Sequence, residues 1–294
     1  MKKMKLAIFS LAVLAGLSQS RTAAGQVFRI NVSDAHFTMP MIECWIAEYQ
    51  QLDPGFRAEV VSGKDAQSDA VVSTSASSGT QVARYLILPI ANAQSAAAHD
   101  KKVRHGLNSN LAKSLYVKKN LDELLDVDEA PRQQLEGTVY TLTGSSAATT
   151  KLFAQFLDIA PAQLKGKKVL GREENAITAV LTHDDAVSYN VANLIYDLQN
   201  RQPISGMHVF AVDLNNNGKI SDDEEQAFTN IDQLTDFVAN SVSTNIPIGD
   251  VNIALPAQAD DHLKSFVAWI GTEGQRFARQ YGYLMAQPRL TAQK

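Results

Sequence analysis

Apolar positions along this chain alternate between two periods, one near two residues and one near 3.6. Val27 to Val32 and Arg57 to Val61 read as strands, the second ended by Ser62-Gly63. Between them Met41, Ile42, Trp45, Ile46 and Tyr49 recur at i, i+1, i+4, i+5 and i+8, one face of a helix with Pro40 in its first turn. Ala70 to Ser73 predicts a short strand and Val82 to Ile90 a longer apolar one. From Ala91 to about Gln202 the pattern predicts a short helix over Asn120 to Asp126, a strand over Thr138 to Leu142 and an amphipathic helix over Ser145 to Asp158. A helix over Ala176 to Thr182 and a strand over Ala186 to Asn190 follow. Met207 to Val212 is β-like. A long helix from about Asp260 to Tyr281 carries Leu263, Phe266, Val267 and Ile270 as an i, i+3, i+4, i+7 stripe. Strands alternating with helices predict an α/β protein with mainly parallel sheets.

The first 25 residues have a pattern of their own. Lys2, Lys3 and Lys5 precede an apolar or small run from Leu6 to Leu17, and Ala23-Ala24-Gly25 follows a polar stretch. These are the three parts of a secretory signal, and the run is shorter than the roughly 20 residues a membrane span needs. Residues 1–25 are therefore expected to be a signal peptide, cleaved near Gln26 to leave a periplasmic, soluble chain; the other reading is an anchor or buried helix. No cysteine stands between the run and the expected cleavage near Gln26, which argues against a lipid anchor. Of 27 basic residues, Lys2, Lys3, Lys5 and Arg21 would leave with the signal, setting 23 against 31 acids. An acidic chain without a basic block argues against nucleic acid and against anionic lipid as partners. The single cysteine, Cys44, excludes an internal disulfide and sits at an apolar helical position.

One contiguous run carries metal chemistry. In Asp213-Leu-Asn215-Asn-Asn217-Gly218-Lys219-Ile220-Ser221-Asp-Asp-Glu224, oxygen side chains fall at positions 1, 3, 5, 9 and 12, glycine at 6 and an apolar residue at 8. That is the pattern of an EF-hand calcium loop, with Asp213, Asn215, Asn217, the Lys219 carbonyl, Ser221 and a bidentate Glu224 as ligands. The alternative is an Asn-Gly turn followed by an acidic helix cap. A strand-like run precedes the loop and no second loop exists, so a structural calcium is expected rather than a paired sensor.

Three further segments stand in order. Ala35-His36-Phe37-Thr38-Met39-Pro40 precedes Trp45 and Tyr49; Thr143-Gly144-Ser145-Ser146-Ala147-Ala148-Thr149-Thr150 precedes Phe153 and Leu157; Phe266 and Trp269 precede Thr272-Glu273-Gly274-Gln275 and Gly282-Tyr283. With Asp185-Ala186-Val187-Ser188-Tyr189 between them, these resemble the periplasmic phosphate-binding receptors of ABC importers, a branch of the type II solute-binding proteins. The resemblance implies two α/β lobes around a ligand cleft, crossings near Pro89 to Asn92 and Pro203 to Met207, and a monomer that serves an importer permease. Lobe 1 would comprise 26–90 and 207–294, with the calcium loop 213–224 inside it, and lobe 2 residues 91–206.

A small oxyanion is best held by neutral donors at helix N-termini. The resemblance assigns that role to Thr143, Gly144, Ser145, Ser146 and Ala147 from one lobe, and to Ser33, His36, Phe37 and Thr38 from the other. His36 stands where the family has threonine. The same serines suit plain helix caps, and His36 a surface or capping histidine. The family's arginine position is occupied by Thr141, and Ser62-Gly63-Lys64-Asp65 with Asp69 stands near the family's serine-glycine loop and aspartate. Arg84, Lys151 or Arg172 would then supply the positive charge. The expected ligand is phosphate or a similar oxyanion. Two other functions remain to be weighed. One is a secreted calcium-bearing binding or adhesion module with no transport role. The other is a hydrolase using Ser145 or Ser146 with His36, His183 or His208, but position 148 is alanine and no Gly-x-Ser-x-Gly elbow exists. No enzymatic activity is expected.

Overall fold

The longest strand of the fold is shared between two sets of partners. In the computed structural model, which describes residues 26–32, 35–63, 67–74, 79–118, 135–143, 147–241 and 244–287, this strand runs from Thr80 to Asn92. In chain order the elements are β1 (Phe28–Asn31), α1 (Met39–Leu52), β2 (Ala58–Val61), β3 (Ala70–Ser73), β4 (Thr80–Asn92), α2 (Ala96–His99), α3 (Ser109–Tyr116) and β5 (Thr138–Thr143). Then come α4 (Ala147–Phe156), β6 (Lys167–Leu170), α5 (Glu173–Thr182), β7 (Ala186–Val191), α6 (Ala192–Ile195) and β8 (Met207–Val209). α7 (Asp222–Ala227), α8 (Ile231–Asn240), β9 (Ile248–Ala254), α9 (Asp261–Ile270), α10 (Gln275–Gln280) and β10 (Leu284–Met285) complete the described chain. The expected signal over 1–25 and the expected helix over 120–126 lie outside the described residues.

Strand order is β2-β1-β3-β9-β4-β7-β5-β6, with β8 and β10 also bonded to β4. Thr80 to Leu86 of β4 pair with β9, Ile87 to Ala91 pair with β7, and Ile90 to Asn92 pair with β8. All four partners of β4, with β10, run antiparallel to it, and β3 runs antiparallel to β9. Among the described strands, β1 pairs in parallel with β2 and β3, and β5 with β6 and β7. The sheet is therefore mixed, which corrects the expectation of mainly parallel sheets: β4 and β9 turn back through the middle of it.

Alternation along β4 divides the core. Ala83, Tyr85 and Ile87 join one buried cluster, Leu86, Leu88 and Ile90 the other, as a two-residue period requires. The first cluster contains α1, whose Met41, Ile42, Trp45, Ile46 and Tyr49 are all buried, each contributing about 1.5–3 kcal/mol. Around Tyr49 the rings of Phe56, Phe266 and Trp269 lie at 5.0, 5.3 and 5.4 Å.

The single helix expected over 260–281 is two. Its break falls at 271–274, where Trp45 Nε1 donates to the Gly274 carbonyl at 2.8 Å. A Cβ at Gly274 would lie 2.8 Å from Ile270 Cα, so the chain re-enters helix at a packing distance closed to other residues. Gln275 then bridges: its Nε2 donates to Ile270 O at 2.7 Å and Val82 O at 2.8 Å, satisfying a terminal carbonyl of α9 and tying α10 to β4.

Candidate functional site

Parallel strands put their carboxyl ends, and the loops leaving them, on one side of a sheet, where ligands of open α/β folds bind. β1 to β3 do so in one half of this sheet and β5 to β7 in the other. The turn after β1 joins the two sets. His36 Nδ1 stands 4.0 Å from Glu174 Oε1, in the first turn of α5 after β6. Asn193, in α6 after β7, donates from Nδ2 to the Phe37 carbonyl at 3.1 Å. Tyr283 donates its hydroxyl to that carbonyl at 2.9 Å. The Phe37 carbonyl thus fixes the turn with both of its lone pairs.

An aromatic frame supports the turn. The Phe37 ring meets Tyr85 edge-on at 4.9 Å and stacks on Tyr283 at 6.5 Å. Tyr85 in turn lies across β9 at Gly249, where a Cβ would stand 2.2 Å from Tyr85 Cζ. Glycine at 249 is what admits the ring.

Polar atoms at this place are not all spent. The Tyr85 hydroxyl, Glu174 Oε2 and Asn193 Oδ1 are covered from solvent and have no partner at hydrogen-bonding distance and angle; the Thr74 side chain, the candidate partner for Tyr85, is close enough to lower its pKa but does not reach that geometry. All three side chains border the His36–Phe37 turn; the fourth such atom among the described residues, Trp269 Nε1, belongs to the aromatic core. Each unpaired group costs about 1–3 kcal/mol. Glu173 beside Glu174 is better provided: Thr149 donates to its Oε1 at 3.3 Å, and Asn190 Nδ2 donates to its carbonyl at 2.7 Å. Burial, with the Arg172 guanidinium adding to it, lowers the His36 pKa, and Glu174 opposes both. Burial and the neighbouring Glu173 carboxylate raise the Tyr85 and Tyr283 phenols, which remain donors.

Of the residues predicted from sequence, His36 and Phe37 lie at this turn. The Thr38 hydroxyl, expected as a donor to ligand, instead donates to Ala35 O at 2.7 Å inside its own turn and is fully buried. The Thr143 hydroxyl donates to Val169 O at 3.2 Å, bridging β5 to β6. Ala147 opens α4; Ser33, Gly144, Ser145 and Ser146 lie outside the described residues. Thr141 donates to Lys165 O, and Asp69 accepts from the Arg29 amide on β1. Of the three cations considered, Arg172 is the one whose charge reaches His36; Arg84 donates to Met285 O, and Lys151 is exposed on α4. Among the described residues neither His183 nor His208 pairs with a carboxylate. His183 rests on Ala179 O at the end of α5, and His208 is half-buried, edge-on to Phe210. Sequence reasoning missed Tyr85, Glu174 and Asn193. Its available signals were a phenol inside an apolar strand and a Glu-Glu pair at a helix start.

No protein-family model matches the chain, and no curated protein sequence does. Solved structures do. A substrate-binding protein of a candidate phosphate ABC transporter from Clostridium perfringens, solved with phosphate bound, aligns over 89% of this chain and 100% of its own at 13% identity, TM-score 0.57. An ABC-type phosphate transport receptor from Vibrio cholerae aligns over 89% and 100% at 12% identity, TM-score 0.51. The regulatory domain of MetR, a LysR-family regulator from Neisseria meningitidis, aligns over 89% and 98% at 10% identity, TM-score 0.51. The first is a substrate-binding protein, the second a transport receptor and the third a regulatory domain. Among the described residues no helix is long and apolar enough to cross a membrane. The chain has a mixed α/β fold that matches the two-lobed fold of the binding-protein neighbours.

Proposed function

We propose that this chain is an exported solute-binding protein that captures phosphate or a similar oxyanion at the His36–Phe37 turn and hands it to an ABC importer permease. The observation that carries this reading is the set of unspent polar atoms of Tyr85, Glu174 and Asn193 around that turn, in a fold similar over 89% of this chain to that of a protein solved with phosphate bound. The Tyr85 hydroxyl and the His36 imidazole are neutral donors, Arg172 brings positive charge, and the start of α4 offers main-chain N–H groups. Glu174 Oε2 and Asn193 Oδ1 accept, so they favour an oxyanion that still carries a proton. The chain works as a monomer, in the periplasm, after its signal is removed.

Isothermal titration of the mature protein with phosphate and sulfate near neutral pH tests this. The expected result is a 1:1 complex with phosphate and weaker binding of sulfate, which has no proton to give Glu174. Absence of heat and of any melting shift with every oxyanion tried would overturn the assignment and favour an adhesion module without a transport role.

A further inference from the structure

The twelve residues 213–224, which run from the loop after β8 into the first turn of α7, are wound tightly. Asn216 and Gly218 adopt φ of 56° and 86° and turn the chain back on Asp213. The Asp213 carboxylate accepts from the Asn217 and Gly218 amides at 3.1 and 2.7 Å. Asn215 Oδ1 accepts from Asn217 N at 3.0 Å, and Asn217 Oδ1 from Lys219 N at 2.9 Å. Glu224 Oε2 accepts from Ser221 N and Oγ at 2.9 and 2.8 Å, the reciprocal cap of α7. A cap needs nothing more. Glu224 Oε1, however, also accepts from Leu214 N and Asn215 N at 2.9 and 3.1 Å, which draws this carboxylate back across the loop to its opening residues.

Charge is what remains unbalanced. Asp213 is 5% exposed and Glu224 is 0% exposed, and no described Lys, Arg or His lies within ion-pair distance of either. Amides solvate a carboxylate but do not neutralise it, and a buried ion without a counter-charge costs several kcal/mol. The group that matches two buried carboxylates, two amide oxygens and a turn glycine in this order is a hard cation with flexible oxygen coordination. We propose that residues 213–224 bind one calcium ion through Asp213, Asn215, Asn217, the Lys219 carbonyl and Glu224, with Ser221 at the ninth position.

Its position gives the ion a structural task. Val212 bridges to Leu107, Leu214 is fully buried, and Asn245 bonds both Asp213 O at 3.1 Å and Leu214 O at 2.6 Å. Asn245 lies just before β9, while the loop follows β8. Both strands are bonded to β4. Calcium would clamp together the segment leaving β8 and the segment entering β9. The inference is independent of which solute the His36–Phe37 turn takes.

Equilibrium dialysis and calorimetry with calcium chloride on the chelator-treated full chain test it. One ion per chain is expected, with a Kd on the order of 10⁻⁴–10⁻³ M and a melting temperature that rises more with calcium than with magnesium. Asn215→Ala and Asn217→Ala alter exposed side chains, keep the wild-type circular dichroism, and each weaken binding about tenfold or more. His105, Asp222 and Glu225 also offer ligand atoms within 4.8 Å of one another beside α7. His105→Gln should leave calcium binding unchanged, and loss of binding in that variant would place the ion elsewhere and overturn the proposal. No binding by the wild type up to about 10 mM calcium, or binding untouched in both asparagine variants, would overturn it as well.

Discussion

The turn at His36–Phe37 and the loop 213–224 are both built from polar residues at the mouth of a strand, and they are short of opposite things. At the turn, hydrogen bonds are lacking: the Tyr85 hydroxyl, Glu174 Oε2 and Asn193 Oδ1 have no partner, although charge is mixed, with His36, Arg172 and two glutamates close together. In the loop every side-chain oxygen of Asp213, Asn215, Asn217 and Glu224 that matters already accepts an amide, and what is lacking is positive charge. A place short of hydrogen bonds asks for a solute with donors and acceptors of its own. A place short of charge asks for a bare cation. The frames differ accordingly: stacked aromatic rings hold the turn from outside, while the loop holds itself.

Breaking each frame should separate the two. Gly249→Ala has the largest expected effect, because its Cβ would overlap the Tyr85 ring. A cost of about 1–3 kcal/mol in urea unfolding is expected, with weakened solute binding and unchanged calcium affinity. A wild-type midpoint would mean that Tyr85 does not lie across β9. Gly218→Ala comes next. Nothing stands within 4 Å of the added Cβ, so the penalty is that of φ 86° alone, about 1–2 kcal/mol. Here calcium affinity should fall while solute binding holds; equal loss of both would show that the two places are coupled. Tyr85→Phe is smaller and has the opposite sign on stability. Deleting a buried hydroxyl without a partner should leave stability unchanged or raise it by up to about 1 kcal/mol, whereas phosphate affinity drops about tenfold. Unaltered phosphate affinity would remove Tyr85 from the site.

These variants also mark what the sequence made legible. The 213–224 pattern could be read because all its oxygen-bearing positions are contiguous. α1, β1 to β3 and the α/β class could be read because one buried face imposes a period. β9 was not seen: Ile248-Gly249-Asp250-Val251-Asn252 is broken by a glycine and two polar residues, each explained only by a neighbour. Gly249 makes room for Tyr85, and Asp250 accepts from Gln81 Nε2 at 2.8 Å. The break between α9 and α10 was invisible for the same reason, since Trp45 lies 229 residues from the carbonyl it bonds. At the turn His36 and Phe37 belong to a local motif, but Tyr85, Glu174 and Asn193 come from three separate elements. Glu174 also has a sufficient local explanation as an acid in the first turn of a helix.

The smallest expected effect is that of acid on the turn. His36 has its pKa lowered from the ordinary 6.5, first by burial and then by Arg172, with Glu174 pulling the other way. A histidine lowered in the folded state binds fewer protons there than in the unfolded chain between the two pKa values. Stability from this group is therefore complete above about 6.5 and is lost as pH falls toward the folded value. His208, lowered by burial and by His99, acts in the same direction, while His262, raised by Asp53, acts against it. The whole-protein curve mixes the three, so the informative quantity is the difference between wild type and His36→Gln. Melting temperatures from pH 7.5 to 5 should fall less in the variant. Arg172→Gln, which withdraws one of the two lowering influences, should move His36 back toward 6.5 by NMR titration and shrink the acid-sensitive window. If His36→Gln keeps the full acid loss, the histidine does not carry it. The turn would then be held by the Phe37 carbonyl and its Asn193 and Tyr283 donors alone, none of which titrates in that range.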